Sequence, residues 1–152
     1  MVSQEVLDLE TRNDLAGAYA ILKRQWDEGN RDRDVGLHLM FNAWYGLIEP
    51  SQYTNFTETT AERKELNDVL YDVHEYFASS IGDDVEMLYT VGLMANMFWF
   101  MFDHDRYWEK VSKDYHVRYR ELAPEGMDPQ IFEGRGYYGE YYAGQAQVVG
   151  GY

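Results

Sequence analysis

At 152 residues, with 45% apolar and 16% aromatic content, the chain has the length and composition of one domain with a real core, which excludes a disordered polymer. Its 27 acidic against 13 basic residues leave a net charge of −14, which argues against a phosphate-neutralising surface for nucleic acid or anionic lipid and favours solubility, a cationic partner, or both. The lack of cysteine excludes a disulfide framework and a thiolate metal site, and fits a reducing cytosol.

The first residues, MVSQEVLDLE, have neither a basic region nor an apolar run, so no secretory signal is expected. In NDLAGAYAILKRQWDEGN, Leu15, Ala18, Tyr19, Leu22 and Trp26 recur at helical spacing, and Gly29 supplies a stop. RDRDVGLHLMFNAWYGLIEP follows, with acids at its start, a long apolar face and Pro50 at its end. The loop SQYTNFTE contains a glycosylation acceptor at Asn55-Phe56-Thr57, which without a secretory route is accidental. Thr59-Thr60-Ala61-Glu62 has capping-box spacing and opens a helix whose inner face is Leu66, Val69, Leu70, Val73, Tyr76 and Phe77, closed by Gly82. Asp83 to Glu86 caps the most apolar stretch, Met87–Phe102. At sixteen residues with acidic flanks it is short of the roughly 20 a membrane span needs, and it reads as a buried core helix. Asp103 is the expected cap of the next helix, which Pro124 and Gly126 end. The remainder, MDPQIFEGRGYYGEYYAGQAQVVGGY, shows no helical period.

The fold expected is therefore all-α: five main helices paired as antiparallel hairpins in a short solenoid-like or irregular bundle. Residues 1–126 form the helical domain, and 127–152 a Tyr/Gly-rich C-terminal extension of it. An internal echo supports the pairing. Val35-Gly36-Leu37 and Val91-Gly92-Leu93 align at an offset of 56 residues, each opening an apolar helix that ends in aromatics. Leu88, Val91-Gly92, Ala95, the acidic turn Asp103–Asp105, Tyr107-Trp108 and Pro124 together resemble a stretched tetratricopeptide-type hairpin. The offset exceeds that family's repeat of about 34 residues. The resemblance implies antiparallel helix pairs and a groove for a peptide or protein.

No catalytic, cofactor or metal site is expected. Of His38, His74, His104 and His116, only Asp34/His38 has the helical spacing at which metal ligands converge, and two ligands do not make a site. His74 beside Glu75 fits a solvated face, and GRGYYG follows no strand and opens no helix. Met87, Met94, Met97 and Met101, with Phe98, Trp99, Phe100 and Phe102, read as core rather than as a cofactor pocket.

Two features point to a partner. Glu58, Glu62, Glu65, Asp68, Asp72 and Glu75 follow one another at spacings of 4, 3, 3, 4 and 3, a column of carboxylates along one helix side. The column reads either as a solvated face, partly relieved by Arg63 and Lys64, or as an interface. Each such like-charge pair costs roughly 0.2–0.5 kcal/mol. Residues 51–82 hold six acids and two bases, residues 83–102 three acids and no base, while 103–122 balance five against five. Tyr137, Tyr138, Tyr141 and Tyr142 cluster in the tail, either as interface anchors or as part of a tail that packs on its own helices with Ile131 and Phe132 as its anchor. The expected function is a cytoplasmic, non-enzymatic protein that neutralises a basic partner. By size, acidity and missing catalytic motifs the chain resembles small acidic bacterial immunity and antitoxin proteins that occlude a toxin domain, such as a nuclease. Alternatives are a nucleic-acid mimic, a tetratricopeptide-like adaptor, and a small helical enzyme or ligand carrier near Met94 and Trp99.

Overall fold

The computed structural model describes residues 1–57 and 60–148. Among the described residues the protein is all-α, with no strand. The helices are α1 (Gln4–Thr11), α2 (Leu15–Asp27), α3 (Arg33–Ile48), α4 (Ser51–Thr54), α5 (Arg63–Ala78), α6 (Val85–Phe98), α7 (Asp105–Leu122) and α8 (Gly136–Ala146), with 3-10 turns at Trp99–Met101 and Pro129–Phe132. No helix among these residues is long and apolar enough to cross a membrane.

The chain divides into two compact units. Of the described residues, the first holds those in Met1–Tyr76 and Gly134–Gly139, the second Phe77–Glu133 and those from Glu140 to residue 148.

In the first unit, α1, α2 and α3 pack in sequence through links of three and five residues, so each pair is a helical hairpin. Short polar side chains set the starts. Ser3 Oγ accepts from Val6 N, Asp14 Oδ1 from Gly17 N, and Asp32 Oδ1 from Asp34 N and Val35 N, each satisfying amides that helical bonding leaves open. Helix α3 is buried without a break from Val35 to Tyr45, as its apolar sequence requires. Helix α5 buries Leu66, Val69, Leu70 and Val73. Tyr76, expected on that inner face, is instead half exposed. Its ring meets Trp26 edge-on at 5.5 Å, where the Arg31 guanidinium also lies 3.9 Å from the Trp26 ring centroid.

In the second unit, α6 and α7 form one extensive hairpin. Helix α6 is buried from Glu86 to Ala95, which bears out the core-helix reading for that part of the apolar stretch. Its end differs: the helix stops at Phe98, and the following 3-10 turn leaves Phe100 63% exposed. The cap is Asp84, whose Oδ1 accepts from Met87 N, while Asp83 pairs with Arg118. Helix α7 has as its N-terminal cap residue His104, in the left-handed region at φ +60° and with no side-chain cap bond, and not Asp103. Its outer face uses the balanced charges in pairs one turn apart, Arg106–Glu109 at 3.1 Å, Lys113–Glu109 at 3.0 Å and Arg118–Glu121 at 3.1 Å, with Lys110–Asp114 beside them.

The tail departs most from expectation. GRGYYG does open a helix: Gly134 and Gly136 take φ +71° and +67°, conformations that suit glycine, and α8 follows. Tyr138, Tyr142 and Ala146 are buried at spacings of four. That is a helical period, hidden in the sequence by intervening glycines.

Candidate functional site

Glu58 lies outside the described residues. Of the other column acids, Glu62, Glu65, Asp72 and Glu75 are exposed and Asp68 is half-buried. At about 100° per residue, positions 65, 68, 72 and 75 face away from the stripe of Leu66, Val69, Leu70 and Val73. The column is less bare than the sequence suggests. Lys64 Nζ reaches Asp68 Oδ2 at 2.6 Å, one turn along the same helix. Tyr19 Oη donates to Glu65 Oε2 at 2.7 Å across the α2–α5 packing. Burial, with the Glu65 carboxylate next to it, holds the Tyr19 hydroxyl far above the usual phenol range. Glu62 borders a cleft of about 670 Å³ with Phe56, Thr57, Ala61, Arg63 and Leu66.

The four tail tyrosines separate. Tyr138 and Tyr142 are buried in their own units and are core residues, which removes these two from the candidate partner-binding set and agrees with the alternative of a tail packed on its own helices. Tyr142 Oη donates to Thr90 O at 3.2 Å. Tyr137 and Tyr141 are half-buried, and only Tyr137 lines a cleft described below.

What fixes Tyr138 is a network that spacing rules did not reveal. The carboxylate of Glu10 is fully buried and receives three donors: His38 Nδ1–H at 2.7 Å and Asn42 Nδ2–H at 2.9 Å on Oε2, and Tyr138 N–H at 3.1 Å on Oε1. Gly136 makes room for it, since a Cβ there would stand 2.6 Å from Glu10 Oε1. The Tyr138 ring lies on the His38 imidazole, with centroids 4.5 Å apart. His38 thus belongs to a structural network, and among the described residues no group of three or more His, Asp or Glu side chains forms a metal site. The sequence did carry a signal: His38 and Asn42 stand one turn apart inside an otherwise apolar helix, and such a pair needs a buried partner. His74 is also buried, at 1% exposure, and not on a solvated face. Burial lowers its pKa to about 4, so it sits neutral in the core.

A polar cleft of about 410 Å³ opens at the C-terminal end of α3. It is lined by Asn13, Tyr45, Glu49, Gln52, Tyr53 and Tyr137. The Tyr45 and Tyr137 rings meet edge to face, at 5.4 Å and 81°, with their hydroxyls 3.3 Å apart. Comparison with protein-family models, with curated proteins and with solved structures finds no match to this chain.

Proposed function

We propose that this protein is a non-enzymatic, cytosolic module that binds and neutralises a basic protein through the outer face of α5. Its most specific form is an immunity or antitoxin protein that occludes a toxin domain, with a nuclease as the best-fitting target. The observation that supports the reading is the exposed Glu65, Asp72 and Glu75 on the side of α5 away from its buried stripe, with the exposed Glu62 just before the helix. Like charges one turn apart repel by roughly 0.2–0.5 kcal/mol per pair, and of these carboxylates Glu65 also accepts from Tyr19 Oη. Attraction of a partner's lysines and arginines offsets that cost, raises association rates and disfavours acidic competitors. A nuclease fits because the cations that hold phosphate also receive carboxylates.

The test is affinity capture with wild type beside a Glu62→Lys/Asp72→Lys/Glu75→Lys variant, which leaves the Tyr19–Glu65 bond intact. The expected result is a basic protein that wild type retains and the variant loses at unchanged melting temperature, with binding that weakens as salt rises. An unchanged partner list for the folded variant removes α5 from the mechanism.

A further inference from the structure

We infer that the cleft at the end of α3 is a binding site for an organic cation, a guanidinium or alkylammonium head. Its described lining holds three phenol rings, one carboxylate and two carboxamides, and no cationic side chain. A ring face carries negative quadrupole charge and attracts a cation held over it. Tyr45 and Tyr137 stand at 81° to each other and so form two walls of a corner, and Tyr53, 58% exposed, supplies a third ring at the mouth. Glu49 provides the formal charge. It is the C-terminal cap residue of α3, where open carbonyls give a helix its negative end, and no basic residue occupies the last turn of α3 to offset it. The volume, about 410 Å³, lies within the roughly 300–1,000 Å³ of ordinary ligand sites.

The walls are set before any ligand arrives. Tyr45 is buried within α3, and Tyr137 precedes the residue whose amide the Glu10 carboxylate holds. The two hydroxyls are within hydrogen-bond distance of each other, at 3.3 Å, which fixes the corner further. A neutral guest gains nothing from Glu49, and an anion is repelled by it. The same cation chemistry can come from a basic peptide side chain or from a free ammonium compound. The site is separate from the outer face of α5 and stands or falls without it.

The experiment uses the full chain, with tyrosine ring resonances followed by NMR during titration with tetramethylammonium, N-acetyl-arginine amide and, as a neutral isostere, tert-butanol. Both cations are expected to shift Tyr45, Tyr53 and Tyr137 saturably, and tert-butanol is not. Glu49→Gln and Tyr53→Ala, two substitutions at accessible positions, are each expected to weaken the cations by about fivefold or more at unchanged melting temperature. Tighter binding of the arginine amide assigns the site to peptide side chains, and tighter binding of tetramethylammonium assigns it to free ammonium compounds. Absence of saturable shifts with either cation, equal shifts with tert-butanol, or undiminished affinity in Glu49→Gln overturns the proposal. Because no partner protein is present, failure here is distinct from failure of charge reversal on α5.

Discussion

Helices α3 and α6 are the two most continuously buried in the molecule, and they solve the same problem with different chemistry. Aligned on Val35-Gly36-Leu37 and Val91-Gly92-Leu93, they set His38 against Met94 and Asn42 against Phe98. Helix α6 fills its unit with a thioether and rings. It bonds the C-terminal helix through a backbone carbonyl that any sequence would offer, Thr90 O, which accepts from Tyr142. Helix α3 instead places an imidazole and a carboxamide one turn apart, closing on Glu10 and through it on the Tyr138 amide. An apolar interior constrains mainly volume, whereas directional hydrogen bonds to a buried carboxylate constrain angle and distance as well. The practical consequence is local: the polar solution fixes the start of α8, next to the cleft that Tyr137 lines.

The largest expected effect breaks the polar side of this pair. Glu10→Ala leaves three buried donors facing a void and is expected to cost about 3–5 kcal/mol in urea denaturation. Rebuilding α3 in the manner of α6, as Glu10→Met/His38→Met/Asn42→Leu, is expected to recover most of that loss, since apolar packing can replace a buried polar cluster at little net cost. A triple variant as unstable as Glu10→Ala would show that the network contributes more than the filling of space.

A second effect separates the units by pH. His74 lies in the unit built on α3, and its folded pKa of about 4 is below the 6.5 of the unfolded chain. Between those values the unfolded chain binds the proton and the folded one does not. Stability is therefore present in full above about pH 6.5 and falls as pH drops toward 4, by about 3 kcal/mol over the window. Denaturation at pH 7, 5.5 and 4.5 is expected to show this slope in wild type and a flatter one in His74→Leu, with hydrogen exchange reporting the loss at α3 amides. Equal slopes in the two proteins would place the acid sensitivity elsewhere.

The smallest effect tests the apolar side. Tyr142→Phe removes one hydroxyl bond to Thr90 O and is expected to cost about 1 kcal/mol, seen as faster exchange at α6 amides. A cost near that of Glu10→Ala would erase the contrast between the two helices.

How much was legible follows from the range of each interaction. Leu15, Ala18, Tyr19, Leu22 and Trp26 mark α2 from their own spacing, and all five are buried. Leu66, Val69, Leu70 and Val73 mark α5 in the same way. Capping was half legible: Asp83 and Asp84 are chemically equivalent in the sequence, and geometry at the turn chose Asp84. The start of α7 was misread because His104 adopts a left-handed conformation that no neighbouring residue announces. Helix α8 was missed because glycines lower the apparent propensity around Tyr138, Tyr142 and Ala146. The acidic column was visible in full, yet Tyr19, the neighbour of Glu65, stands 46 residues away.

By itself, the sequence determined the helical class, the sign and size of the net charge, and which helix faces are apolar, because each depends on residues within a few turns of one another. Only the tertiary structure decided which polar groups are buried together and which tyrosines remain at the surface. Glu10 meets His38 across 28 residues and the Tyr138 amide across 128, and contacts at such separations exist only once the chain has folded.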